Sequence, residues 1–429
     1  MWKRWQLYCI LLHLCAEVQS TEKTALDSPF NILLIRAFRD WTFDIFGKTG
    51  TEGGRNLQIA RDAQTTQQIV PDHVPFPCNV TAVNISGGRS QEVPDSVHKL
   101  RPGDIDVIAA MGDSLTAGAG IFANNLFQII VENRGVTALG GGQGTWRQYV
   151  TLPNILKEFN HNLIGYALGD SLTTHNASQL NVAESGAMSD DMPYMAETLV
   201  KRIKNDPRID VEKHWKLISL MIGDNDFCTN ICWDSSPWSL LDKHKADLLQ
   251  ALTTLRDNLP RTLVSLIPPP HLKVLIDSRK GRPSFTCDLA TDFECSCMFG
   301  LRYQSFLPEY YKIMRRWQEL DMEISIYPEF QRDDFAVVTQ AVTLGLIMPL
   351  ASDGYADTTY FSRDCFHLSQ KANARFANGL WNNLFEPVGI KTTYWQDLFE
   401  RFLCPTPERP YLATLQNSQV DLQRNKSSL

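Results

Sequence analysis

A serine hydroxyl attacks a carbonyl carbon near neutral pH only when a base takes its proton and a carboxylate holds that base in the right tautomer. Two short stretches of this 429-residue chain supply such groups. Gly112-Asp113-Ser114-Leu115 follows directly on the apolar run Val107 to Met111, so a serine stands just past a predicted strand with a glycine to permit the sharp turn. Asp364-Cys365-Phe366-His367 sets a carboxylate and an imidazole three residues apart, and on one turn the carboxylate can reach back to Nδ1 while Nε2 faces the serine. The eight other histidines lack such company and read as surface or core residues. Taken alone, Gly112-Asp113-Ser114 is a weak signal, because Ser114 would serve equally as a helix cap.

Acyl transfer also needs hydrogen-bond donors aimed at the developing oxyanion. Gly223-Asp224-Asn225-Asp226 stands immediately after the apolar run Leu217 to Ile222, which would project Asn225 over a sheet edge beside Ser114. Asn181-Val182-Ala183-Glu184-Ser185-Gly186 ends in a glycine whose N–H can complete the hole with that of Ser114. Each is an ordinary turn sequence. In this order, each beside a predicted strand end, they read as one site.

The elements that must position these groups are legible as alternating patterns. Val107 to Met111, Leu217 to Ile222, Leu263 to Ile267 and Phe335 to Val338 are short β-rich runs of the kind buried on both faces. Amphipathic helices lie between them: one carries Leu241, Leu248, Leu252, Leu255 and Leu259 and stops at Pro260, and a second runs from Pro308 to about Met322. Alternation of this kind predicts an α/β fold with a doubly wound, central parallel sheet whose sites form at the carboxyl ends of its strands. No internal repeat of fixed period is present.

Composition narrows the setting. A hydrophobic fraction of 43% supplies a large core, and a net charge of −7 gives no footprint for nucleic acid or for anionic lipid, so contact with a lipid surface is expected to be transient and local. Residues 1–20 read as a secretory signal peptide: Lys3 and Arg4, the apolar run Leu7 to Leu14, then Val18 and Ser20. Residues 21–94 read as an N-terminal arm with a short helix within 30–46, residues 95–403 as the catalytic domain, and 404–429 as a polar tail. No later apolar run is long enough for a transmembrane anchor, so the product is expected to be secreted and extracellular. Beyond the leader, the eight cysteines Cys78, Cys228, Cys232, Cys287, Cys295, Cys297, Cys365 and Cys404 predict disulfides of unreadable connectivity, Cys365 among the bonded ones. The spacing of Cys228 with Cys232, and of Cys287 with Cys295 and Cys297, would also suit zinc, an alternative the secretory context disfavours. Sequons at Asn79, Asn84, Asn176 and Asn425 fit an exported glycoprotein.

The blocks Gly112-Asp113-Ser114, Gly186, Gly223-x-Asn225-Asp226 and Asp364-x-x-His367 resemble those of the GDSL, or SGNH, hydrolase superfamily. The flanks are similar to the phospholipase B repeat of animals, in Ser96-Val97-His98, Leu100-Arg101-Pro102-Gly103-Asp104-Ile105, Leu380-Trp381-Asn382-Asn383 and Glu386-Pro387-Val388-Gly389. This resemblance runs from about Val93 to Thr393. It implies a three-layer flavodoxin-like fold and an ester hydrolase, without cofactor or metal, that releases fatty acids from glycerophospholipids and lysophospholipids. It also implies Ser114 as nucleophile, Asp364 and His367 as the other triad members, and Ser114, Gly186 and Asn225 as the oxyanion hole. Two positions depart from the family pattern: Asp224 stands where a second glycine is common, and Ala119 where asparagine is common.

Other readings are weaker. Gly118-Ala119-Gly120-Ile121-Phe122-Ala123 matches a dinucleotide-binding fingerprint but sits too far past its strand. Gly140-Gly141-Gly142-Gln143-Gly144 lacks the Lys and Ser/Thr of a phosphate loop. A carbohydrate or small-ester deacetylase, or a non-catalytic secreted binding protein, would also fit an exported chain. An aromatic and aliphatic cleft lining would favour lipid and a shallow polar cleft would favour sugar, while keeping Ser114, Asn225, Asp364 and His367 together favours an enzyme.

Overall fold

The structure, a computed structural model, describes residues 37, 40–80 and 88–419. The expected leader, the first part of the helix expected within 30–46, and the sequons at Asn84 and Asn425 lie outside the described residues; residues 40–46 are helical.

Four buried strands, β1 (Ile105–Gly112), β2 (Trp215–Met221), β3 (Thr262–Ile267) and β4 (Phe335–Thr339), form a parallel sheet in the order β1-β2-β3-β4. Each strand matches one of the short apolar runs. The far edge of β1 is not bare: Val107 bridges Ile164 and Ala110 bridges Asn181, both in parallel. An irregular fifth position therefore lies outside β1, filled by a segment that precedes β2 in the chain. The chain order 2-1-3-4-5 that results is the flavodoxin-like one, in which the switch of direction falls at β1.

Alternate residues of each strand feed two separate cores. Ile108, Ala110, Leu217, Leu263 and Ala336 belong to one, and Val107, Ala109, Ile218, Val264 and Val337 to the other. Helix α1 (Arg55–Asp62) lies in the arm, and α2 (Ser114–Ala117) is a single turn following β1. Helices α3 (Leu152–Phe159) and α9 (Gln370–Phe385) cover the first face, while α4 (Met192–Asn205) and α5 (Ser239–Asn258) cover the second. Between α5 and α9 come α6 (Lys273–Arg279), α7 (Phe285–Glu294) and α8 (Leu307–Ser325). The result is a three-layer α/β architecture. Lys216, buried at the start of β2, donates to the carbonyls of Val211, His214 and Pro260, and burial lowers its pKa to about 8.

Eight cysteines form four disulfides: Cys78–Cys404, Cys228–Cys295, Cys232–Cys297 and Cys287–Cys365. Of the cysteines whose spacing would have suited zinc, Cys228, Cys232, Cys295 and Cys297 form two parallel cross-links and Cys287 pairs with Cys365. Cys78–Cys404 ties the arm to the far end of the chain. Residues 404–419 differ from the free polar tail expected from composition: Leu412 and Thr414 are buried, Leu412 N–H donates to Leu100 O, and Thr414 Oγ1 lies 2.8 Å from His98 Nδ1. A few apolar and cap residues suffice to dock this polar segment. Among the described residues no helix is long and apolar enough to cross a membrane.

Candidate active site

The site begins where β1 ends. Gly112 has φ +150°, and a Cβ there would stand 2.3 Å from Met221 O and 2.7 Å from Thr116 Oγ1, so only glycine lets the strand turn this tightly. Asp113 then caps α2, its carboxylate accepting from Leu115 N–H at 2.9 Å. Ser114 therefore occupies the first position of a helix, at the carboxyl end of the sheet.

Far along the chain, the turn 364–367 brings its two polar side chains to the same point. Asp364 Oδ1 accepts from the Phe366 and His367 N–H groups, each at 3.0 Å, which folds the turn around the carboxylate. Asp364 Oδ2 lies 2.5 Å from His367 Nδ1, and His367 Nε2 lies 2.8 Å from Ser114 Oγ. Cys365 holds the turn in a left-handed conformation, φ +61°, and its disulfide to Cys287 ties it to α7. Burial disfavours the imidazolium, but the Asp364 carboxylate outweighs it and raises His367 to about 9.

A fourth titratable group, unread in the sequence, joins this chain. Glu294, the last residue of α7, presses its carboxyl against Asp364, and burial with that neighbour raises its pKa to about 7. Ligand atoms of Glu294, Asp364 and His367 lie within 4.8 Å of one another, a spacing that would admit a cation, yet both imidazole nitrogens are already engaged by Asp364 and Ser114. A base must be neutral to accept a proton, so with His367 as the candidate base its raised pKa would put the ascending limb of kcat/KM on the alkaline side of an ordinary histidine. Above pH about 7 the Glu294 charge favours the imidazolium further. Glu294→Gln removes that charge and should move the ascending limb to lower pH with little change in KM; a limb that stays in place would show that Glu294 is electrostatically silent.

The two glycine-turn blocks are locked to the Ser114 turn from behind. Arg134, fully buried, pairs with the equally buried Glu132 at 2.6 Å and donates to the carbonyls of Ser171, Asn181 and Ala183. Asn181 Nδ2 donates to Thr116 O at 2.9 Å, and Ser185 Oγ donates to Glu132 Oε1 at 2.7 Å. Gly186, φ +86°, thus heads a turn braced on both sides, and open space surrounds it where a Cβ would point. Asn225 Nδ2 spends one hydrogen on Ala187 O at 2.9 Å, linking the third block to the second. The backbone N–H groups of Ser114 and Gly186 have no acceptor among the described residues. Burial of Arg134 with Glu132 gives no periodic signal, which is why the sequence did not reveal this brace.

Residues 108–380 match the family model described as GDSL-like lipase/acylhydrolase. The chain belongs to this family. It is 39% identical over 342 residues to "Phospholipase B1, membrane-associated" of Rattus norvegicus, covering 79% of this chain and 23% of that protein. To the Homo sapiens protein of the same description it is 40% identical over 334 residues, covering 77% and 22%. The chain therefore spans less than a quarter of the length of these curated relatives. A crystal structure of a Streptomyces rimosus extracellular lipase is similar over 64% of this chain and 98% of that one, at 13% identity and a TM-score of 0.29.

Of the two departures from the GDSL pattern, Ala119 is buried and bridges Glu132, beside the Arg134 brace. Asp224 is more consequential. Its carboxyl is buried with neither oxygen hydrogen-bonded, and burial, then the nearby Asp113 and Asp226, raises its pKa well above the usual carboxylate range. Asp224 lines a narrow apolar cavity with Leu115, Met221, Phe361, Phe366 and Leu368, the immediate sequence neighbours of Ser114 and His367 among them. A second Ser-His-Asp chain exists in this GDSL domain, with Ser189 Oγ 2.6 Å from His244 Nδ1 and His244 Nε2 2.7 Å from Asp321. All three residues are sealed from solvent, and Ser189 N–H donates to Asp226. That chain braces the Asn225 loop rather than meeting a substrate.

Proposed function

We propose that this chain is a serine carboxylic ester hydrolase acting on lipid esters, with Ser114 as nucleophile, His367 as general base and acid, and Asp364 as the group that orients His367. The observation that carries this reading is the continuous hydrogen-bonded chain from Asp364 through His367 to Ser114 Oγ at the end of β1. In the first half-reaction Ser114 Oγ bonds to the ester carbonyl carbon while its proton passes to His367 Nε2. The oxyanion takes hydrogen bonds from Asn225 and from the Ser114 and Gly186 N–H groups. Collapse expels the alcohol, which leaves with the proton from His367, and water then repeats the sequence on the acyl-enzyme to release the fatty acid.

Glycerophospholipids and lysophospholipids are the proposed substrates. Support comes from the naming of the rat and human relatives, which share 39% and 40% of the aligned residues with this chain. Four disulfides fit a secreted product, the setting we propose. Purified protein should release fatty acid from phosphatidylcholine and lysophosphatidylcholine with a chelator present. Turnover of acetylated sugar alone would move the substrate to the carbohydrate class, and loss of activity with the chelator would overturn the metal-independent mechanism.

A further inference from the structure

Helix α7 is amphipathic in the wrong sense. Its protected side carries Cys287, Ala290, Thr291 and Glu294, and this side grips the reaction turn through Cys287–Cys365 and through the Glu294 carboxyl on Asp364. The opposite side exposes Phe285, Leu289 and Phe293, which are 83%, 57% and 86% accessible. Steps of four residues keep three side chains on one helical stripe. A surface helix ordinarily turns its apolar stripe inward and its polar face to water. Leaving two phenylalanines and a leucine bare on one helix forgoes their burial, and such a stripe marks a surface that meets an apolar partner. Just beyond α7, Leu301 is also exposed.

We propose that the stripe Phe285, Leu289 and Phe293 is the surface by which this enzyme sits on a zwitterionic phospholipid layer, with α7 joining that layer to the reaction turn. The proposal rests on the lipid-ester reading above. A lipid partner fits because the helix that bears the stripe is the one bonded, through Cys287–Cys365 and Glu294, to the turn that carries Asp364 and His367. The charge around it selects the kind of surface. Asp288 and Asp292 are exposed on the same helix, Asp288 being already paired with Arg279, and the whole chain carries a charge of −7. The net charge of −7 disfavours an anionic layer, whereas phosphatidylcholine carries no net charge to oppose it.

The test separates the surface from the chemistry. Ser114→Ala protein, which should not turn lipid over, is floated with phosphatidylcholine vesicles and with vesicles doped with phosphatidylserine. Binding to the first is expected, weakened by the second. Phe285→Ser with Phe293→Ser should reduce vesicle binding by about 100-fold, since each buried phenylalanine contributes at least about tenfold to partitioning. With Ser114 intact, the double variant should cleave a water-soluble short-chain ester as before and lose vesicle hydrolysis by a comparable factor. Unchanged vesicle binding, or equal loss on both substrates, would overturn the proposal. So would a self-associated form that the double variant abolishes, which would assign the stripe to a second copy. If the protein binds vesicles yet cleaves no phospholipid, the substrate reading fails and the surface stands. If it cleaves phospholipid and the variant makes no difference, the surface fails and the substrate reading stands.

Discussion

Ser114→Ala and His367→Ala should each lower phospholipid hydrolysis by about 10⁴-fold or more, and the double variant should fall little below either one. The reason is the geometry at Ser114 Oγ: with Nε2 2.8 Å away, the proposed mechanism has the hydroxyl pass its proton to His367 and His367 pass it on to the leaving alcohol, so each group acts only through the other. Removing one partner therefore strands the other. The residual rate comes from the oxyanion donors and from binding alone. Thermal midpoints should stay close to that of the parent for Ser114→Ala, because the change removes one hydroxyl and a single side-chain hydrogen bond, to His367. Losses that multiply in the double variant would mean two independent contributions and would refute a shared chain of proton transfer.

Asn225→Ala should lower kcat by about 100-fold and leave KM nearly unchanged, the mark of a donor that meets charge only in the transition state. Asn225 has a second task, since Nδ2 also holds Ala187 O at 2.9 Å and thereby steadies the Gly186 turn. Both tasks act on the same oxyanion, one directly and one by holding a neighbouring donor, so the loss should lie at or above that of a single donor. A change confined to KM would make Asn225 a substrate-binding group and dissolve the proposed oxyanion hole.

The parts of this molecule that could be read in its sequence are those written locally. A buried parallel strand is a short run of Val, Ile and Leu, and all four such runs are strands. Ser114 and the Asp364 to His367 pair announced themselves because each sits in a fixed relation to a strand end or to a single turn. The fifth sheet position at Ile164 and Asn181 was missed because bridges of one residue leave no run to detect. Glu294, Glu132 and Arg134 were missed because each gains its meaning from a partner brought near by the fold, and an isolated charged residue is usually a solvated one. Cysteine pairing was open for the same reason. His244 shows the converse: its relay with Ser189 and Asp321 is close to the Ser114 chain in distances, but its ring is turned the other way, with Nδ1 on the serine and Nε2 on the carboxylate, which no spacing could have told.

Three of the four disulfides end within the segment 287–297, at Cys287, Cys295 and Cys297. Helix α7 is thus pinned near both its ends, to the reaction turn at one and to the segment after Asn225 at the other. A helix fastened in this way has no hinge. It cannot swing aside when lipid arrives, so the mouth of the site keeps one shape in water and at a surface, and access is governed by where the protein stands and not by a gate that opens. Progress curves on vesicles should then start without a lag, and a dissolved ester should find the same site already open.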